Sequence, residues 1–279
     1  MLDTDPLRQI LRAASYPYHI PCGPFMLTGA GCLPLNLESY ALLKHLRRSD
    51  LIPRKGDVQS FLEVMEAGER LGKDLLPVLA AGSNASPEQL GRKLAGNSDF
   101  AIPLLHGHVH GWSSVYSGHV TRYGAVPATL FPDTHATTRL HCLLIPRRLL
   151  RIFNESEGPQ YKLQTLPGVS FFTVGLETGE LTEIVEPLAY ISVRGAMRFS
   201  SGLSSGLSLA RPLRLARLHT EGSEFASASE VQALTLLHTM TRQTTSVCQF
   251  IHRLVGDDQF RTQCNDYIAA NLTREPLGR

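Results

Sequence analysis

A succession of short apolar segments separated by turn residues fills the middle of the chain, and this pattern restricts the fold more than any other feature. Residues 75–81 form an apolar run that is short enough for a buried strand and is bounded at once by Gly82. Similar strand patterns follow at 102–109, 115–120, 128–131, 139–145, 171–174, 181–185 and 188–193. Because short strands outnumber helices, we predict an α+β protein in which helices pack on a mixed small β-barrel or sheet.

Helical patterns dominate the two ends of the chain and divide it into three predicted parts. Apolar residues recur with helical spacing at 6–14, 37–48, 51–71, 229–241, 245–255 and 259–271. A stretch rich in Pro and Gly at 16–34 carries several turn signals. We therefore predict an N-terminal arm or extension at 1–72 and a core at 73–200. Residues 201–279 are predicted to form a linker loop and a C-terminal helical region packed on the core.

The composition excludes several classes of protein. The 279 residues include 43% hydrophobic side chains and 27 basic against 25 acidic ones, which is typical of a globular protein without the basic field of a nucleic-acid-binding one. No apolar run approaches the roughly 18–20 residues that cross a bilayer, and the acidic N-terminus does not resemble a secretory signal. We predict a cytoplasmic protein that binds a small molecule rather than nucleic acid or a membrane. The cysteines form no Cys-x-x-Cys pair and are predicted to be reduced thiols: Cys22, Cys32, Cys142, Cys248 and Cys264.

The loop of Gly82, Ser83 and Asn84 lies between a predicted strand and a predicted helix. Ser86 is a suitable N-cap for that helix, and Gln89 is placed to complete a capping box. A turn of this kind exposes backbone N–H groups beside the positive end of the helix dipole, which suits a carboxylate, a phosphate or a developing oxyanion. The alternative is a plain turn, because Gly, Ser and Asn are common turn residues.

Glu157 is the candidate acid or base of the sequence. A short helix is predicted to begin after Pro146, to bury Phe153 and to end at Glu157, with Gly158 as its stop signal. The negative end of the helix macrodipole disfavours a further negative charge there, as suits a general acid/base that must exchange a proton near neutral pH. The alternative is a solvated side chain at a helix end, and Glu155 is the nearest competing carboxylate.

Three segments together resemble the gamma-glutamylcyclotransferase family. Residues 79–85 resemble the Tyr-Gly-Ser-Asn-Leu loop of that family, 123–130 resemble its middle strand, and 149–161 resemble its leucine-rich helix followed by Glu-Gly and Tyr. Their order and spacing also fit, and the resemblance covers roughly residues 75–200. Ala81 stands where the family loop has tyrosine.

The resemblance implies a compact barrel with helices packed around it and a reaction that needs neither metal nor cofactor. Gly82, Ser83 and Asn84 would hold the α-carboxylate or the reacting carbonyl of a small anionic gamma-glutamyl substrate, and Tyr161 would line the site. Glu157 would act as general acid/base while the α-amine attacks the γ-carbonyl, which releases 5-oxoproline and an amine or amino acid. The helical C-terminal region would be a cap or the surface of a possible homo-oligomer.

A row of imidazoles offers a weaker signal. His106, His108 and His110 alternate along one predicted strand and therefore share one face. Neighbouring imidazoles can bind a transition metal, but only with a further ligand from His119, His135 or His141. A polar strand face or the rim of a substrate pocket is the favoured interpretation.

Other functions stay open on the same residues. A non-catalytic ligand-binding or adaptor protein would use the Gly82–Asn84 loop to hold an anion, and an amide hydrolase would release glutamate in place of 5-oxoproline. The Gly-x-Ser-x-Gly pattern at 202–206 matches a hydrolase elbow, but no helix pattern follows it and Pro212 comes soon after.

Overall fold

The computed structural model describes residues 5–34, 75–97, 99–174, 181–199 and 211–273. Six α-helices lie in these ranges: α1 (Pro6–Ala14), α2 (Pro87–Lys93), α3 (Leu150–Glu157), α4 (Glu230–Met240), α5 (Val247–Gly256) and α6 (Asp258–Asn271). Short 3-10 turns occupy Ser83–Ala85, Arg147–Leu149 and Gly158–Gln160. The helices predicted at 6–14, 229–241, 245–255 and 259–271 are confirmed as α1, α4, α5 and α6.

The strands of the same ranges are short except for two. They are β1 (Phe25–Thr28), β2 (Gly31–Pro34), β3 (Leu75–Ala80), β4 (Ala101–Tyr116), β5 (Ala128–Pro146), β6 (Tyr161–Thr165), β7 (Ser170–Val174), β8 (Leu181–Val185), β9 (Leu188–Ser192), β10 (Arg198–Phe199), β11 (Arg211–Pro212), β12 (Arg214–Leu215), β13 (Thr220–Glu221) and β14 (Ser227–Ala228). The prediction of an α+β protein is confirmed.

One mixed sheet organises the fold. Within the described ranges it has twelve strands, and its main path is β14-β12-β4-β5-β3-β9-β6. The pairs β3/β9 and β12/β14 are parallel, whereas the others are antiparallel. The described strands of this path do not close into a barrel, so of the two predicted forms the sheet is the correct one.

The long hairpin of β4 and β5 corrects the predicted strand boundaries. The predicted strand at 102–109 and the first two residues of the one at 115–120 belong to the single strand β4, which ends at Tyr116, and those at 128–131 and 139–145 form β5. The pairing register shifts between His110 and Trp112, where Gly111 has a φ of 76°. A glycine adopts that left-handed conformation without strain, so the strand absorbs an extra residue as a bulge and continues.

The Pro- and Gly-rich stretch at 16–34, where the sequence indicates turns, also contains the hairpin of β1 and β2, and β1 pairs with β4. The capping box predicted at the start of α2 is wrong. Ser86 is the N-cap of α2, but its hydroxyl makes no capping hydrogen bond. The amide oxygen of Gln89 accepts instead from Arg92 at 3.0 Å, which removes the second half of the predicted capping box. Genuine capping boxes start α4 and α5.

Several predictions have no test in this structure. The helices predicted at 37–48 and 51–71 and the Gly-x-Ser-x-Gly pattern at 202–206 lie outside the described residues. The domain boundaries at residues 72 and 200 stay predictions. The cysteines named above are all free thiols, as expected from their spacing. Among the described helices, none is both long enough and apolar enough to span a membrane.

Two apolar clusters meet where the candidate site lies. The first joins α1 to the C-terminal helices and includes Ala13, Leu237 and Leu254. The second packs α2 and α3 on the sheet through Leu90 and Phe153. The N-terminal helix and the C-terminal helices therefore share one core beside the central strands. Residues of α6, α2 and α3 line a common cavity.

Glu230, the first residue of α4, carries a buried carboxyl within the first cluster. The side chain is 3% exposed, and one oxygen accepts a hydrogen bond from the Val126 amide at 2.7 Å. The other oxygen has no hydrogen-bond partner among the described residues. Burial raises the pKa of Glu230 well above its usual range, because water no longer solvates the charged form.

We expect Glu230→Gln to stabilise the protein more at about pH 8 than at about pH 5. A carboxyl with a raised folded-state pKa contributes its stability at low pH and loses it as the pH rises, because the unfolded chain ionises first. Glutamine keeps the acceptor for the Val126 amide and does not titrate. Urea unfolding at both pH values measures the effect, with the exposed Glu224→Gln as control. An equal gain at both pH values would contradict the prediction.

Candidate functional site

A cavity of about 540 Å³ brings the predicted site residues together. Gly82, Ser83, Asn84, Glu157 and Tyr161 all line it, although they come from separate parts of the sequence. The loop follows β3, the acid ends α3, and the tyrosine begins β6. The structure thus places every predicted site residue in one space, while their roles in substrate binding and catalysis stay predictions.

The loop after β3 is fixed by the pairing of β3 in the sheet and by hydrogen bonds within the loop backbone. β3 pairs with both β5 and β9, so the end of the strand is fixed on both sides. Ser114 on β4 donates its hydroxyl to the carbonyl of Ala81. The amides of Ala85 and Ser86 then donate to the carbonyls of Gly82 and Ser83 at 3.0 and 2.9 Å. The chain turns sharply here and enters α2 with Asn84 at the cavity surface.

Glu157 points from the end of α3 towards this loop. Gly158 follows with a φ of 60°, which ends the helix and suits glycine. The carboxylate accepts a hydrogen bond from the Asn84 side-chain amide at 2.9 Å, and the side chain is 12% exposed. The competing acid, Glu155, is 61% exposed and pairs with Arg151 on the outer face of α3. Glu157 is therefore the acid of this helix that faces the cavity.

Lys93, which sequence reasoning missed, completes a polar cluster with Asn84 and Glu157. The ammonium group of Lys93 donates to the Asn84 side-chain oxygen at 2.6 Å and also contacts the Glu157 carboxylate. The lysine side chain is 7% exposed. Its position at the last residue of α2 gave no signal, because a lysine there is the ordinary complement of the helix dipole.

His119 and Tyr161 form another part of the cavity wall. Tyr161 donates its hydroxyl to the carbonyl of Ala128 at 2.9 Å, and its ring lies edge-on to His119 with centroids 5.6 Å apart. The Nδ1 atom of His119 is 2.9 Å from the Ser117 hydroxyl. Burial, with the positive charge of Arg194 nearby, lowers the pKa of His119 to about 3. The imidazole is therefore neutral near pH 7 and adds no charge to the cavity.

The two ends of the chain also supply cavity residues. Tyr16 comes from the segment after α1, and Arg261 and Asn265 come from α6. The side chain of Asn265 accepts from the Val120 amide at 2.7 Å and donates to the Val120 carbonyl at 3.3 Å. The C-terminal helix thereby fixes the loop between β4 and β5, which runs past the cavity. No motif in the sequence indicated these contributions.

The imidazole row forms a polar strand face. His108 stacks on Phe172 with centroids 5.6 Å apart, and Nδ1 of His110 is 2.9 Å from the Thr137 hydroxyl. His106 lies against His141 across the β4/β5 pair, with centroids 4.9 Å apart. Burial lowers the pKa of His141 to about 4. Among the described residues, no group of three or more His, Cys, Asp or Glu side chains is arranged to hold a metal.

Comparison with known proteins gives a similarity to a solved structure. No family model matches the chain, and no curated protein matches it. A solved structure titled "Gamma-glutamyl cyclotransferase" is similar over 74% of this chain and 93% of its own length. The two chains are 10% identical, and the TM-score is 0.33.

We expect Lys93 and Glu157 to stabilise the fold cooperatively. Removing either partner leaves a largely buried charge without its counterion, so Lys93→Met and Glu157→Gln should each cost more alone than in combination. A double-mutant cycle on the free energy of unfolding should give a coupling of about 1–3 kcal/mol. The exposed pair on α3, tested with Arg151→Met and Glu155→Gln, is the control and should couple by less than about 0.5 kcal/mol. Equal couplings for the two pairs would contradict the prediction.

Proposed function

We propose that the protein is a gamma-glutamylcyclotransferase-like enzyme that cyclises a small gamma-glutamyl amide. The products are 5-oxoproline and the amine or amino acid that formed the amide. Glu157 is the general acid/base, and the loop of Gly82, Ser83 and Asn84 with Tyr161 binds the substrate. The reaction is internal amide exchange, which proton transfer and positioning can catalyse without a cofactor.

The contact between Lys93 and Glu157 is the observation that carries the proposal. A gamma-glutamyl compound has a free α-ammonium and a free α-carboxylate on one carbon. A cavity with an ammonium and a carboxylate in contact presents the complementary pair of charges: the substrate ammonium can bind to Glu157 and its carboxylate to Lys93. Asn84 binds both protein groups through its amide, so it holds the two charges in a fixed relation.

The proposed reaction begins with proton transfer to Glu157. The carboxylate takes a proton from the substrate ammonium, which gives the amine its lone pair. That nitrogen attacks the γ-carbonyl carbon, the new C–N bond closes a five-membered ring, and the carbonyl electrons move to oxygen. The carbonyl then re-forms while the old C–N bond breaks, and the departing nitrogen takes the proton from Glu157. The ring nitrogen gives up its second proton, which Glu157 passes to the released amine, so the products are a neutral lactam nitrogen and an ammonium group. The carboxylate is restored, and no other reactant is consumed.

In this proposal, positioning of the substrate also accelerates ring closure. The attacking amine and the carbonyl belong to one molecule, so holding the head group against Lys93 and Glu157 leaves few internal rotations free before ring closure. The neutral imidazole of His119 and the ring of Tyr161 border the same space. They offer a surface of low charge to the uncharged amide, while the ionic head group stays at the loop.

We expect wild type to form 5-oxoproline from a gamma-glutamyl dipeptide such as gamma-glutamylalanine, and Glu157→Gln to form it at least about 10²-fold more slowly. Glutamine keeps the size of the side chain and its contact with Asn84 but accepts no proton. Mass spectrometry of the products measures the rate. The control is Glu155→Gln, which removes the exposed carboxylate of the same helix and should leave the rate unchanged.

The same assay separates the other functions. Release of glutamate without 5-oxoproline would indicate hydrolysis of the amide. Binding of the dipeptide without any product, by folded protein, would indicate a binding protein. A dipeptide whose α-amine is acetylated has no nucleophile and should not react. Full activity in Glu157→Gln would remove Glu157 from the mechanism.

A further inference from the structure

The Tyr16 side chain reaches the substrate loop from the N-terminal segment. The residue is 4% exposed, and its hydroxyl accepts a hydrogen bond from the Ala128 amide at 2.7 Å. Ser83 of the loop lies beside this phenol oxygen and lowers the pKa of Tyr16 slightly against the larger effect of burial. The ring is packed edge-on against Tyr18 with centroids 6.0 Å apart. Tyr16 therefore joins the N-terminal segment to both the loop and the start of β5 at the cavity surface.

The glycine at position 82 is explained by this contact. A Cβ at Gly82 would lie 2.4 Å from the Tyr16 hydroxyl and 2.8 Å from the Ala128 side chain. The φ of Gly82 is -163°, an extended value that any residue adopts, so the backbone itself does not require glycine. The requirement is space: the phenol oxygen occupies the position where a side chain at residue 82 would begin.

The Tyr16 hydroxyl accepts a hydrogen bond from the Ala128 amide, and its own proton can be donated to a ligand. A tyrosine hydroxyl has one donor hydrogen, and the Tyr16 oxygen accepts from the Ala128 amide while the hydroxyl donates to none of the described residues. Burial raises the pKa of Tyr16, so the hydroxyl keeps its proton at neutral pH. Because Tyr16 lines the cavity beside Gly82, that proton is available to an oxygen atom bound at the loop.

We propose that Tyr16 donates a hydrogen bond to the γ-carbonyl oxygen of the substrate, so that the N-terminal segment completes the catalytic site. This inference rests on the proposed function. In that reaction the carbonyl oxygen gains negative charge when the amine attacks, and a donor already fixed in place stabilises the charge without reorganisation. Ala128 acts as a positioning residue, because the hydrogen bond from its amide to the phenol oxygen restricts where the hydroxyl proton points.

Tyr16→Phe is the first test, with gamma-glutamylalanine as substrate and 5-oxoproline as readout. A donor that acts on charge formed in the transition state should lower kcat by about 10²-fold and leave KM nearly unchanged. The matched control is Tyr18→Phe, which removes a hydroxyl from the same segment but at a residue that does not line the cavity. It should retain the wild-type kcat. Urea unfolding of both variants at the assay temperature checks that each is fully folded during the assay.

Gly82→Ala is the second test and keeps the tyrosine. Its methyl group would displace the Tyr16 hydroxyl, so kcat should fall as it does in Tyr16→Phe while Tyr16 itself is still present. Wild-type kcat in folded Tyr16→Phe would overturn the assignment, and so would a rise in KM alone. A higher kcat in that variant would also overturn it, because the hydroxyl would then obstruct the loop.

The proposed function fails in a different way from the Tyr16 assignment. If wild type forms no 5-oxoproline, the cyclisation reaction is wrong, and the Tyr16 assignment is overturned with it. If wild type is active, Glu157→Gln is inactive and Tyr16→Phe is unchanged, the reaction stands and only the role of Tyr16 is overturned. The three proteins assayed side by side therefore distinguish the two failures.

Discussion

The contact between the Lys93 ammonium and the Glu157 carboxylate joins the two helices that border the cavity. α2 ends with the lysine and α3 ends with the acid, so the ion pair fixes the C-terminal ends of both helices at one point. Asn84 hydrogen-bonds to both charged groups and thereby ties the loop to the same point. Leu90 and Phe153, each one turn before the lysine or the acid, bury the adjoining part of the same helices in one apolar cluster. Apolar packing thus brings the two helices together, and the polar cluster fixes the position of one helix end relative to the other.

Another part of the cavity wall depends on the two ends of the chain. Tyr16 binds the amide of Ala128, and Tyr161 binds its carbonyl, so one residue of β5 is held from both sides. Asn265 holds Val120 in the preceding loop in the same two-sided way. α1 and α6 belong to one core cluster, and they therefore carry these contacts as a unit. The N- and C-terminal segments build part of the site in addition to covering the sheet.

Sequence reasoning found the parts of the site that local patterns encode. A strand followed by Gly82 and a helix that stops at Gly158 are local features, so the loop and Glu157 could be placed in advance. Lys93 could not, because its meaning depends on a carboxylate brought close only by folding. Tyr16 could not either, although the alanine at position 81 indicated that the loop lacked an aromatic group. The β4/β5 hairpin was divided wrongly because a polar stretch inside a long strand resembles a turn until its partner strand is known.

Under the proposed function, the polar cluster serves ligand binding as well as folding. Two largely buried charges lose their hydration, and an ion pair of this kind is often no more stabilising than apolar residues of the same size. An apolar pair in place of Lys93 and Glu157 would continue the cluster that contains Phe153, whose ring already lies 5.7 Å from the lysine nitrogen. The charges instead line a cavity, where a ligand can exchange partners with them. A zwitterionic head group would replace the Lys93–Glu157 ion pair with two pairs, one between its ammonium and Glu157 and one between its carboxylate and Lys93. The two protein charges are already largely desolvated in the folded protein, so their desolvation does not oppose binding of such a ligand.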